Sequence, residues 1–216
     1  MQTNPSHEVE AIGYLTSRED ENLGFIGGLL VVNRNARPVE YHSTVPFRPT
    51  AAQRVFYGAT LRPQLLAHQI PEALLGKAKS DLDVVLVDDY ALLEFRTASR
   101  LPVGCLWNPV EKESTESGND GHQDFESGGI AHSANALPAV GPGKNRLDED
   151  DSLVIGNARW IRKRECSFAI HHEFVGDEAV VAASLQQIAR QVDVDEPMER
   201  LRLAIDETCK SSKQAA

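Results

Sequence analysis

Two adjacent carboxylates follow the most hydrophobic short strand that the sequence predicts. The apolar run Val84-Val-Leu-Val87 leads directly into Asp88 and Asp89. Carboxylates at the end of a strand can take a proton from water or bind a metal ion, so Asp88 and Asp89 are candidate catalytic residues. The alternative is that both acids only end the strand at the solvent. The Gly-x-x-x-x-Gly-Lys-Ser/Thr loop that accompanies such a strand in phosphate-loop NTPases is absent, which favours this second interpretation.

Histidine and glutamate lie close together in two further predicted strands. Glu40 and His42 share one face of their strand and could form an acid/base pair, which makes both candidate catalytic residues. His171 and Glu173 likewise share a face of theirs. Because imidazole and carboxylate bind zinc and iron, His42, His171 and Glu173 are candidate metal ligands. A solvated sheet face with hydrogen-bonded histidines explains the same residues without a metal, and the sequence predicts no cofactor.

Basic and aromatic side chains occur together in three segments. Residues 159–164 form the one basic cluster of the sequence and enclose a tryptophan, a composition suited to anions or single-stranded nucleic acid. The alternative is an edge strand that its charges protect from aggregation. Residues 46–49 and 54–57 combine aromatic and basic side chains that could contact a partner. The candidate interaction residues from these segments are Phe47, Arg54, Tyr57, Arg162 and Arg164.

The chain is acidic, with a formal net charge of -10. Residues 111–150 hold nine acids and three bases with few large apolar side chains, and they are predicted to form a disordered acidic insertion. The remainder lacks the surplus of Lys and Arg that a protein needs to bind duplex DNA over its whole surface. The sequence therefore disfavours nucleic acid as a partner, although it leaves a local basic patch open.

Targeting and cysteine patterns predict a soluble cytoplasmic protein. The N-terminal residues lack the basic and apolar regions of a signal peptide, and the longest apolar run, 25–32, is too short to span a membrane. Cys105, Cys166 and Cys209 form no Cys-x-x-Cys pair and are predicted to be free thiols. The apolar neighbours of Cys105 should raise its pKa and make it inert.

The elements that position these residues follow from hydrophobic periodicity. Residues 24–32 are apolar on both faces, as in a central strand, and their glycine pair suggests close packing of a helix. Thr50 and Gln53 form a capping box at the start of a helix that Gly58 and Pro63 should interrupt. Further strands are predicted at 82–87, 101–107, 153–155 and 159–174, followed by two amphipathic helices.

This order predicts an α+β fold, a mostly antiparallel sheet with helices packed on it, interrupted by a long disordered loop. Residues 8–110 would form the N-terminal part of a single domain. Residues 111–150 would be its disordered insertion, and residues 151–210 would supply C-terminal strands and two helices that complete the same domain.

No segment carries a catalytic motif of high specificity. The sequence therefore predicts a non-enzymatic cytoplasmic interaction or regulatory module with a protein partner, and leaves self-association open. The alternative is a small metal-dependent or acid/base hydrolase that uses His and carboxylate residues at a sheet edge. The two hypotheses differ in whether the strands at 38–45, 82–88 and 166–174 are neighbours and bring those side chains into one cleft.

Overall fold

Eight strands form one sheet in the residues that the structure, a computed structural model, describes: 9–20, 22–106, 152–163 and 166–214. Their order across the sheet is β3-β2-β1-β4-β5-β8-β7-β6. The strands are β1 (Ala11–Asp20), β2 (Gly24–Asn33), β3 (Pro38–Ser43), β4 (Val84–Val87), β5 (Val103–Leu106), β6 (Ser152–Ile155), β7 (Ala158–Arg162) and β8 (Ser167–His171).

The sheet is mixed, which corrects the expectation of a mostly antiparallel sheet. β4 runs parallel to β1 on one side and to β5 on the other, while the remaining neighbours are antiparallel. Parallel neighbours require long crossover connections, and the 3₁₀ helix Tyr90–Thr97 lies in the one between β4 and β5. The predicted α+β class is confirmed.

Helices cover both faces of this sheet. One face carries α2 (Leu61–Gln64), α3 (Ile70–Leu75) and the 3₁₀ helix Tyr90–Thr97, and the other carries α4 (Asp177–Ala189) and α5 (Glu196–Gln214). Helix α1 (Ala51–Tyr57) precedes α2 and buries none of its residues. Each face encloses its own apolar cluster, so the core has two layers separated by the strands. The central strands are accordingly buried on both sides.

The broken helix expected after β3 is present. Thr50 caps α1 with its side chain, and Gln53 completes the capping box. A 3₁₀ turn at Gly58–Thr60 ends α1, and a π-helical turn at Leu65–Gln69 follows α2. Glycine and proline interrupt the helical hydrogen bonds here, as the sequence predicts.

The adjacent glycines of β2 let helices approach the sheet from both sides. A Cβ atom on Gly27 would lie 2.3 Å from Cγ2 of Ile70 in α3, and one on Gly28 would lie 2.5 Å from Cδ1 of Ile205 in α5. Side chains at these positions would push the helices away. Gly28 therefore fixes how closely α5 approaches the strand ends beside it.

The C-terminal strands join the sheet through β8. The predicted strand at 159–174 divides into β7 and β8, which pair with each other, and β8 pairs with β5. Strands from both sides of residues 107–151 therefore lie in one sheet, while the predicted insertion at 111–150 falls outside the described residues. No helix in the described part of the chain combines the length and apolar character that crossing a membrane requires.

Candidate functional site

The parallel pairing of β1 and β4 brings two polar side chains together at one end of the sheet. Leu15 lies opposite Val87 in the ladder, so the next residues, Thr16 and Asp88, are neighbours. Both side chains point to the face covered by α5, because alternate residues of a strand share a face. The Thr16 hydroxyl donates a hydrogen bond to Oδ2 of Asp88 over 2.8 Å.

Helix α5 adds two charged side chains to this end of the sheet. Its stripe of Leu201 and Ile205 packs over Gly28, and the next residue after each carries a charge. Nε of Arg202 donates to Oδ2 of Asp88 over 2.8 Å, and Asp206 forms an ion pair with Arg18 of β1. The close approach at Gly28 thus sets the height of both charges above the strand ends.

These residues line a cleft of about 200 Å³. The Asp88 side chain is 11% exposed and the Arg202 side chain 51%. Within the described residues, Oδ1 of Asp88 and the two terminal nitrogens of Arg202 form no hydrogen bond. A carboxylate oxygen and a guanidinium edge are therefore available to a ligand in one cleft, whose lining consists of Thr16, Ser17, Arg18, Asp88, Arg202 and Ile205.

Asp89 points to the opposite face of the sheet, where both of its carboxylate oxygens accept hydrogen bonds. Its Oδ1 accepts from the amide of Ala91 over 2.8 Å and thereby caps the 3₁₀ helix. Its Oδ2 accepts from Nη2 of Arg62 over 2.9 Å. Asp89 therefore stabilises the connection after β4, while Asp88 faces the cleft.

Glu40 and His42 lie together on β3, as their alternation implies. Oε2 of Glu40 contacts Nε2 of His42 at 2.9 Å and accepts from the amide of Lys79 over 3.0 Å, while Oε1 accepts from the amide and hydroxyl of Ser80. The hydrogen bonds from Ser80 and His42, in that order, lower the pKa of Glu40 to about 2. The Ser80 hydroxyl bonds to the carboxylate of Glu40 and not to the imidazole of His42, so Ser80 and His42 do not form a nucleophile–base pair. The hydrogen bonds to Glu40 instead hold the loop after α3 against β3.

His171 lies at the opposite end of the sheet from Asp88. Its Nδ1 accepts from the amide of Glu173 over 3.3 Å, and its Nε2 lies 3.7 Å from Oε2 of Glu94. Glu173 itself follows the end of β8. Four strands separate β3 from β8, so the structure does not bring His42 to the other two candidate metal ligands. Among described residues, no group of three or more His, Cys, Asp and Glu side chains could hold a metal ion.

The candidate interaction residues are spread over the sheet and α1. Phe47 pairs with Phe25 through two backbone hydrogen bonds of 2.8 Å at the start of β2. Arg54 and Tyr57 lie on α1 and are exposed. Arg162 is exposed on β7, and Arg164 falls outside the described residues.

Sequence reasoning named Asp88 as a candidate but not the residues that surround it in the structure. Thr16, Arg18 and Arg202 are separated from it by 70 or more positions, and no local pattern links them. One signal was available: Arg202 and Asp206 each follow a residue of the apolar stripe of α5, which places charges at the edge of a buried helix face.

No family model matches the chain, and neither does any curated protein. Three similar solved structures are endonucleases V. The human protein shares 12% identity over 94% of this chain and 89% of its own, with a TM-score of 0.39. The Ciona intestinalis protein, a variant bound to inosine-containing DNA, shares 11% over 94% and 88%, with 0.43. The catalytic domain of the human protein shares 13% over 97% and 86%, with 0.42.

These comparisons correct two expectations. The similar structures are nucleases, which contradicts the expectation of a non-enzymatic interaction module and agrees better with the hydrolase alternative. The expectation that nucleic acid is not a partner is contradicted in the same way, because one of those structures contains DNA. The net charge of a chain limits how its whole surface coats a duplex, and leaves a local site free to bind.

Proposed function

We propose that this chain is a hydrolase of phosphodiester bonds in nucleic acid and that the cleft at Asp88 is its active site. The observation that carries the proposal is the state of the Asp88 carboxylate. One of its oxygens is held by Thr16 and Arg202, while the other forms no hydrogen bond with any described residue. A carboxylate oriented through one oxygen and open at the other suits a general base, because it can accept a proton from a bound water.

Arg202 supplies the phosphate contact in this proposal. Its Nε is bound to Asp88, which leaves both terminal nitrogens to donate to two oxygens of one phosphate. Arg18 lines the same cleft, and its ion pair with Asp206 is half exposed, so a phosphate can compete for the guanidinium. The cleft thus combines a base with donors for an anionic ester.

The proposed reaction is a hydrolysis with water as the nucleophile. Oδ1 of Asp88 takes a proton from water while the water oxygen bonds to phosphorus. The phosphorus–oxygen ester bond breaks, and the departing oxygen takes a proton from solvent. Arg202 and Arg18 stabilise the negative charge that develops on the phosphoryl oxygens. Thr16 keeps the carboxylate oriented and does not itself exchange a proton with substrate.

We also place the protein in the cytoplasm. Among the described residues its three cysteines form no disulfide, as is usual where the compartment is reducing. Nucleic acid is present there, so the proposed substrate and location agree.

The test is cleavage of end-labelled DNA and RNA oligonucleotides, single-stranded and duplex, by the full chain with and without magnesium. Asp88→Asn should reduce kcat by about 10²- to 10⁴-fold, because the amide cannot act as a base. Asn keeps the side-chain oxygen that Thr16 and Arg202 contact, so its thermal unfolding should resemble that of the wild type.

The matched control is Asp193→Asn, a change to a carboxylate outside the cleft. It should leave cleavage unchanged. No cleavage of any of these substrates by the wild type, or equal cleavage by Asp88→Asn, would overturn the proposal.

A further inference from the structure

Helix α1 exposes an unusual amount of apolar surface. Val55 is 81% exposed, Phe56 85% and Tyr57 45%, and none of the residues of α1 is buried. A monomeric protein seldom presents adjacent large apolar side chains to water unless they serve a contact. The helix therefore has a surface that nothing in the described chain covers.

The sequence around this helix indicates the class of ligand. The 31 residues from Tyr41 to Pro71 contain no Asp or Glu, although the whole chain has 32 acids, and they include Arg48, Arg54 and Arg62. We call residues 41–71 the acid-free segment. Within the described residues, the Arg54 guanidinium forms no ion pair or hydrogen bond. An unpaired guanidinium beside exposed aromatic rings suits a phosphate and the bases of nucleic acid.

The acid-free segment lies at the same end of the sheet as the cleft. Phe47 is hydrogen-bonded to Phe25 at the start of β2, and Phe25 lies opposite Glu19 of β1. Arg62 contacts both Glu19 and Asp89. Glu19 and Asp89 directly follow Arg18 and Asp88, which line the cleft. Consecutive residues of a strand are about 3.3 Å apart along the strand. A chain leaving the cleft over this edge therefore reaches the acid-free segment.

We propose that α1 is the platform that binds single-stranded nucleic acid next to the active site. This inference rests on the proposed function and specifies its substrate as single-stranded. Bases stack on Phe56 and Tyr57, and Arg54 binds a phosphate of the same strand. Only unpaired bases can offer their faces to exposed rings, whereas the stacked bases of a duplex cannot.

The test measures the fluorescence anisotropy of fluorescein-labelled single-stranded and duplex oligonucleotides as they bind. The protein carries Asp88→Asn, so that it binds the oligonucleotides without cleaving them. The double variant Phe56→Ala and Tyr57→Ala should raise the Kd for single strands about 5- to 100-fold, with little dependence on sequence. Arg54→Ala should lower the slope of log K against log salt by about 0.7, the value for one phosphate of a single strand.

The matched controls lie elsewhere on the surface. Val175→Ala removes another exposed apolar side chain, and Arg190→Ala removes an exposed arginine at the end of α4. Neither should change the Kd or the salt slope. Because α1 has no buried residue, its variants should unfold at the same temperature as the parent.

The outcomes separate this inference from the proposed function. Unchanged single-strand binding in the aromatic double variant, or equally tight duplex binding, would overturn the platform even if the wild type cleaves. If the wild type cleaves none of the substrates and the double variant binds single strands more weakly, the platform would be supported and the hydrolase overturned. Self-association that the same double variant abolishes, without nucleic-acid binding, would assign α1 to a second copy and reject the platform.

Discussion

Arg96 and Asp177 form a two-point ion pair between the 3₁₀ helix and the first turn of α4. Nε of Arg96 lies 2.6 Å from Oδ2 of Asp177, and Nη2 lies 3.1 Å from Oδ1. Asp177 also accepts from the amide of Val103 over 3.3 Å, and Arg96 stacks 4.1 Å from the ring centre of Phe174. Both charged side chains are largely buried. The pair connects the two helical layers around the start of β5.

Removing one partner of this pair should be costly. Arg96→Ala leaves the Asp177 carboxylate buried with one weak donor, and we expect the free energy of unfolding to fall by about 3–5 kcal/mol. Urea denaturation measures it. Arg190→Ala, an exposed arginine at the end of α4, should change it by less than about 0.5 kcal/mol. Equal effects of the two variants would show that the pair contributes no special stability.

Glu40 should make the stability of the protein depend on pH in the acidic range. Its pKa is about 2 in the folded chain, compared with an ordinary value of 4.5, chiefly because Ser80 donates a hydrogen bond to it. A lowered pKa stabilises the folded state above the ordinary value, and that contribution is lost as the pH falls toward the folded value. The difference in Tm between the wild type and Glu40→Gln should therefore be constant above about pH 4.5 and shrink toward pH 2.

Ser80→Ala provides the second arm of this experiment. Without the Ser80 hydroxyl, the Glu40 pKa should lie nearer to its ordinary value, so the acid-induced loss of stability should begin at a higher pH. A constant difference in Tm from neutral pH to pH 2 would contradict the assignment to Glu40.

Gly28 should tolerate no side chain. An alanine methyl would lie 2.5 Å from Cδ1 of Ile205, so Gly28→Ala should cost about 1–3 kcal/mol of stability and move α5. The same movement displaces Arg202, so cleavage should slow as well. Adding Ile205→Val, which removes Cδ1, should recover part of both losses. Gly176→Ala is the control, because its Cβ would meet nothing within 4 Å.

Residues 113–148 should be dispensable for folding. They fall within the part of the chain that the structure does not describe, and the described contacts between β5 and β8 join the two sides of this segment. We expect a chain lacking residues 113–148 to keep nearly the wild-type Tm, since shortening a loop lowers its closure entropy only slightly. Separate expression of the flanking parts should give poorly folded fragments. Independent cooperative unfolding of each part would contradict a single domain.

The Cys105 thiol should not react with thiol reagents in the folded protein. Burial raises the pKa of its thiol well above the ordinary value, so little thiolate is present at neutral pH. Titration of native wild type and Cys105→Ser with a thiol reagent should give the same number of reactive groups. In urea, the variant should have one fewer. A native difference between the two would show that Cys105 is accessible.

Local features of this fold were predictable from local sequence. Thr50 with Gln53 predicted a capped helix, and Gly58 with Pro63 predicted its interruption, because both effects act within a few residues. The parallel placement of β4 between β1 and β5 was not predictable, since an apolar run does not reveal its neighbours. The cleft depends on that placement and on Arg202, which lies 114 positions from Asp88.

Asp88 and Asp89 also define the alignment of β4. The four residues of β4 are apolar and buried, so they would pack similarly if the strand were displaced by one position. The two acids would not, because a displacement would turn Asp88 away from Thr16 and Arg202, and Asp89 away from Ala91 and Arg62. These consecutive carboxylates therefore disfavour misaligned pairings during folding and select the one in which the cleft exists.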